Sequence, residues 1–212
     1  MKKSDTRKQR KARKARERSK NKAVSRSAGV GSYLRNAREY PIAGCWTLPN
    51  WKKLGITELV VARRQPNGNI VFGGYVVDYY LLGVKNALSK ADIPPAVFYN
   101  EVLPDMFSDG MIDIKPALAH ELIYGSIDYA AQFGFKPHRD FRKASLILDP
   151  PGAHEPTRKV EFGHEGQPFF IAGPYDNVKA IMTQLNRTVG EGNYHYTVPV
   201  NNPEADELLD LI

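Results

Sequence analysis

Two extended runs joined by an Asn-Gly turn constrain the fold more than any other feature of the chain. Residues 58–65 (ELVVARRQ) and 69–82 (NIVFGGYVVDYYLL) are dominated by β-branched and aromatic side chains, and Pro66-Asn67-Gly68 separates them. Such side chains suit a pleated surface, and Asn-Gly tolerates the positive φ angles that a tight hairpin needs. The second run is apolar almost throughout, which places it inside a sheet covered on both faces. Helical stretches are expected at 83–91 and at 94–107, the latter broken near Pro104.

The strongest helix signal covers 116–133 (PALAHELIYGSIDYAAQF). Pro116 stands in its first turn, Gly134 just past its end and Pro137 shortly beyond, the order in which these residues start and stop helices. Leu118, Leu122, Tyr129 and Phe133 form one stripe, widened by Ile123, Ile127 and Ala130. A second hairpin is expected from 158–162 and 168–172, turning at Glu165-Gly166. A helix over 177–188, capped by Asp176 or Asn177, and a last strand over 194–200 follow. Trp46 and Trp51, in a Gly- and Pro-containing lead-in, are expected to dock on the domain. This order predicts an α+β fold: a mainly antiparallel sheet built from two hairpins and a C-terminal strand, with helices packed on one face.

Charge divides the chain. Residues 1–28 hold thirteen of its 30 Lys and Arg residues and two of its 23 Asp and Glu residues, so the remainder carries 17 basic and 21 acidic side chains. The basic block has almost no apolar content and repels itself, so it is expected to be a tail that is disordered when free. Residues 29–212 are expected to form a single α+β domain. Lys2, Lys3, Arg7, Lys8, Arg10, Lys11, Arg13, Lys14, Arg16, Arg18, Lys20, Lys22 and Arg26 are the side chains that can neutralise phosphates and release counterions. RNA, the ribosome or DNA are the partners this chemistry fits, with a protein partner for the body as a further expectation.

No apolar run reaches the ~18 residues that span a bilayer, because 73–84 is interrupted by Asp78. The basic N-terminus has no apolar segment after its charges, so neither a secretory signal nor a membrane association is expected. Cys45 is the only cysteine, which excludes an intramolecular disulfide and fits a reducing cytoplasm.

Four stretches, VDYYLLGVKNA, LIYGSIDYAAQFGFKPHRDF, FGHEGQPFFIAGPYDN and VGEGNYHYTV, together resemble an uncharacterised family of bacterial proteins over roughly residues 40–200. The resemblance implies a bacterial, cytoplasmic setting and carries no activity or catalytic set. Candidate site residues therefore rest on their chemistry alone.

Asp78 stands out, since a carboxylate inside an apolar strand is desolvated unless it is paired or faces a cleft. It is either a metal-binding carboxylate on a central strand, or a group bonded to backbone amides or to Lys85. The second reading is the simpler. On the 116–133 helix, His120, Tyr124 and Asp128 fall at i, i+4 and i+8 and share a polar face, with Glu121 beside them. His138 and Asp140 follow in a Pro-led loop. Convergence of these groups would give a divalent metal site (Asp78, His120, Asp128, His138, Asp140) and a catalytic set (Asp78, Glu121, Asp128, His138) for phosphodiester hydrolysis. No pair among them has a diagnostic metal spacing, and a solvated helix face explains them equally well. His154, His164 and His195 are scattered, and Tyr194 with Tyr196 on the last strand could stack bases. No GxSxG or P-loop pattern is present, which removes serine hydrolases and P-loop NTPases.

The expectation is a nucleic-acid- or ribosome-associated binding protein without a required cofactor. A metal-dependent nuclease or phosphodiesterase is the alternative, and only that alternative calls for a divalent metal.

Overall fold

The computed structural model describes residues 31–198. The basic segment 1–28 and the acidic C-terminal stretch lie outside them. The fold is α+β: five antiparallel strands with helices packed against them. The strands are β1 (Ile42–Thr47), β2 (Ile56–Arg64), β3 (Ile70–Asp78), β4 (Gly83–Ile93) and β5 (Ile112–Asp113), in the order β4-β3-β2-β1-β5.

The β2–β3 hairpin forms where the sequence places it, in register from Arg64 opposite Ile70 to Ile56 opposite Asp78. Gly68 closes the turn with φ 84° and its amide donates to the Gln65 carbonyl, a conformation a Cβ would penalise. The hairpin's second strand ends at Asp78, four residues sooner than expected, because 79–82 make a turn. Residues 83–93 then form a strand rather than the expected helix. Their Ala, Leu and Lys content suits a helix locally, yet Val84, Ala87 and Ala91 are buried on pairing with β3. Tertiary pairing overrides the weak local preference here.

A short helix, α1 (Trp51–Leu54), joins β1 to β2, and the alternating side chains of β2 feed two separate cores. Val60 and Ala62 join Phe72 under a helical stretch, α2 (95–106), through Phe98 and Leu103. Leu59 and Val61, with Tyr75 and Val77, pack on the opposite face beneath α3 (116–132) through Ala119, Leu122 and Ile123. Helices therefore cover both faces of the sheet, not the single face expected. A one-faced arrangement would have left the apolar residues of β2 and β3 on the other side in water. Trp51 and Trp46 dock as expected, on the α3 and α2 sides respectively.

The expected second hairpin is absent as a strand pair among the described residues. Positive φ at Arg158, Gly163, Glu165 and Gly166 interrupts extended backbone, and only an isolated bridge joins His164 and Gln167. Instead β6 (Phe169–Ile171) pairs in parallel with β7 (His195–Thr197), the crossover between them carrying α5 (Val178–Thr188), as a parallel pair requires. Asn177 caps α5, its side chain accepting from the Ala180 amide at 2.9 Å. A third cluster, Phe133, Phe170, Met182, Leu185 and Tyr194, seals this unit onto Leu81 and Leu82 of the β3–β4 turn. Among the described residues no helix is long and apolar enough to cross a membrane.

Candidate functional site

One cluster of metal-ligating side chains occurs among the described residues: His120, Asp149 and His154. Each comes from a different local device. α3 contains a π-helical turn at Glu121–Gly125, a widening often used at functional sites, and His120 sits immediately before it on the buried side. Asp149 follows the short helix α4 (Phe141–Ala144) and the buried pair Ile147 and Leu148. The sequence then turns through Pro150, Pro151 and Gly152, with the Ala153 amide donating to the Pro150 carbonyl. That turn returns the His154 ring to Asp149, where Nε2 lies 2.9 Å from Oδ2.

Arg63 fixes the other side of the carboxylate. Its side chain, 4% exposed, reaches from β2 and donates to Asp149 Oδ1. It also donates to the carbonyls of Ile147 at 2.6 Å and Tyr40 at 2.7 Å. Burial by itself would raise the Asp149 pKa; hydrogen bonds from His154 and Arg63 and the Arg63 charge outweigh it and hold the carboxyl below its usual range.

His120 is 5% exposed, and its Nε2 has no hydrogen-bond partner. That atom stands 3.9 Å from Asp149 Oδ2, and the His120 and His154 rings are 4.4 Å apart between centroids. Burial, with the neighbouring His154, pushes the His120 pKa down to about 4, so the imidazole is neutral near pH 7 and keeps a bare nitrogen. A buried ring nitrogen without a partner costs free energy; here it is aimed at a carboxylate and a second imidazole. Beside the cluster lies a pocket of about 340 Å³ bordered by both histidines, Glu121, Tyr124, Asp128 and Glu155.

The sequence-derived candidates separate into two groups. His120, Glu121, Tyr124 and Asp128 do share a face of α3, and all line this pocket. The face is not simply solvated, because Gly152, Pro156 and Phe162 of the following segment also line the pocket. Glu121 is engaged there, its Oε2 accepting from the Thr157 amide at 2.9 Å and from the Thr157 hydroxyl. Asp128 is exposed.

Asp78, His138 and Asp140 are not part of the cluster. Asp78 ends β3 and closes the 79–82 turn, Oδ1 accepting from the amides of Tyr80 at 3.1 Å and Leu81 at 2.9 Å. Burial pushes its pKa up to about 7, against those amides and the Lys85 charge. Lys85 itself pairs with Asp176 at 2.5 Å. His138 and Asp140 face each other at 3.7 Å in the exposed loop after α3.

Cys45 is buried, and burial raises its thiol to about 12, which leaves it inert as a nucleophile. The two tyrosines of the last strand do not make a common platform. Tyr194 is buried with its hydroxyl 2.6 Å from Asn186 Oδ1, whereas Tyr196 is exposed.

Sequence reasoning missed Asp149, His154 and Arg63 as site residues. The available signal was Asp-Pro-Pro-Gly-Ala-His at 149–154, a turn sequence that brings an acid and a histidine together. Comparison with known proteins adds no assignment: no family model, no curated protein and no solved structure matches the chain, in keeping with a resemblance that carries no assigned activity.

Proposed function

We propose that the protein is a nucleic-acid-binding protein of RNA, ribosome or DNA, contacting phosphates through the Lys and Arg side chains of residues 1–28. The charge distribution carries this reading. Thirteen basic and two acidic residues stand in 1–28, against 17 basic and 21 acidic in the remainder. The folded body then presents this segment to its target and adds contacts to a partner surface of its own. Two features favour binding over phosphodiester hydrolysis. Asp78 is occupied by the amides of its own turn. The pocket beside the histidines is bordered by Glu121, Asp128 and Glu155 with no Lys or Arg among its described lining residues, a surround that repels phosphate.

The test is a salt titration of affinity for RNA and for duplex DNA, using the full chain and a chain lacking residues 1–28. For the full chain log K is expected to fall by ~0.7–0.9 per phosphate contacted for each tenfold rise in salt. Deletion is expected to remove most of that slope while leaving the melting temperature nearly unchanged. Binding that ignores salt, or no binding, overturns the proposal. So does reproducible magnesium- or manganese-dependent cleavage of nucleic acid that Asp78→Asn abolishes.

A further inference from the structure

We propose that His120, Asp149 and His154 form a binding site for a divalent transition-metal ion with an imidazole–carboxylate–imidazole donor set, independent of the basic segment and opening onto the α3 pocket.

Distances make the first argument. Bonds of ~2.0–2.2 Å to nitrogen and oxygen in a tetrahedral site set the donor atoms roughly 3.3–3.6 Å apart. The observed separations from Asp149 Oδ2, 2.9 Å to His154 Nε2 and 3.9 Å to His120 Nε2, bracket that spacing, and all three donor atoms lie within 4.8 Å of one another. Side-chain rotations that lengthen the first of these contacts, shorten the second and draw the two imidazole nitrogens together by up to about 1.5 Å bring them to one ion.

The second argument is the unpartnered nitrogen. His120 Nε2 is buried and makes no hydrogen bond, and it stands 3.9 Å from Asp149 Oδ2. An ion there supplies the missing partner. Asp149 is also held as a metal ligand commonly is, from behind: Arg63 takes Oδ1 and leaves Oδ2 facing the histidines, an outer hydrogen bond that fixes the ligand's orientation. Tyr124 adds to this support by donating to the Asp149 carbonyl at 3.1 Å.

Metal binding requires both Nε2 atoms bare, so each ring carries its proton on Nδ1, and the hydrogen bond from His154 to Asp149 gives way to two coordinate bonds. Two imidazoles and one carboxylate suit zinc, cobalt, nickel or ferrous iron better than magnesium or calcium, which prefer all-oxygen shells. Three protein ligands leave a fourth position for water or a small ligand, and the pocket bordered by both histidines gives it room.

The experiment is a cobalt titration of untagged, chelator-treated full-length protein, followed by visible absorption and then displaced by zinc. The expected result is one cobalt per chain, with d–d bands of a four- or five-coordinate ion that zinc removes. His154→Gln and His120→Gln are each expected to weaken cobalt affinity by about 100-fold or more, since loss of outer supporting partners alone costs ~10–100-fold. His164→Gln, in a separate loop, is expected to bind as wild type does. If the buried His120→Gln variant does not fold, the half-exposed His154→Gln variant carries the test. No stoichiometric binding, or binding unchanged in His154→Gln, overturns the proposal.

Discussion

Arg63 and Asp149, 86 residues apart in the chain, meet as a charge pair beneath the sheet, with the guanidinium almost fully enclosed and the carboxylate about a quarter exposed. The same guanidinium satisfies the carbonyls of Ile147 and Tyr40. One side chain of β2 thereby fastens both the lead-in before β1 and the segment after α4, and it sets the face that Asp149 turns to the histidines.

Removal of this anchor is expected to be costly. Arg63→Ala takes the guanidinium from Asp149 Oδ1 and from the carbonyls of Ile147 and Tyr40, which places the loss at ~3–5 kcal/mol. Arg63→Lys is expected to recover only part of it, because an ammonium cannot reproduce the planar fork. Urea unfolding midpoints at pH 7 measure both; a loss below ~1 kcal/mol for the Ala variant would show that water substitutes for the guanidinium.

Asp78 predicts a pH dependence of definite sign. Its folded pKa is raised from 3.8 to about 7, so between those values the folded protein keeps a proton that the unfolded chain has lost. Stability then falls as pH rises through this window and levels off above it, the full cost being up to ~4 kcal/mol. Asp78→Asn keeps an oxygen for the Tyr80 and Leu81 amides but removes the charge. The variant is expected to match wild type near pH 4 and to exceed it at pH 8, as read by denaturant unfolding at both values. An equal difference at the two values would refute the assignment.

Leu122 is fully buried in the core between α3 and the sheet. Leu122→Ala is expected to destabilise by ~2–5 kcal/mol, measured by thermal or denaturant unfolding. A cost under ~1 kcal/mol would mean that the helix meets the sheet through a different stripe.

The β2–β3 hairpin, the 116–133 helix with its buried Leu122 and the Asn177-capped helix α5 were legible in the sequence, and so was the α+β class. Each rests on residues within one or two turns of one another: β-branched runs around Asn-Gly, apolar spacing of three and four, a side-chain cap. The same reasoning failed where partners are distant. Residues 83–91 read as a helix because their own content favours one, and only pairing with β3 makes them part of a strand. Phe170 belongs to a parallel pair with Tyr196 rather than to a local hairpin. Phe72, Leu122 and Leu185 look alike in the sequence as apolar positions, yet they divide among three clusters.

Half of the candidate site was visible in the same way. His120, Glu121, Tyr124 and Asp128 share a helix face by spacing alone, and that spacing survives in the pocket. Asp149 and His154 could be read as a turn, but not as partners of a histidine about thirty residues earlier. Arg63 gave no sign of reaching Asp149 at all. By itself, then, the sequence determined the local elements and the charge division between residues 1–28 and the remainder, since both depend on neighbours along the chain. Tertiary structure alone decided which faces of the sheet are covered, where Asp78 spends its hydrogen bonds and which donors surround His120. Those outcomes depend on burial and on groups brought together from far apart in the chain, for which no short-range pattern exists.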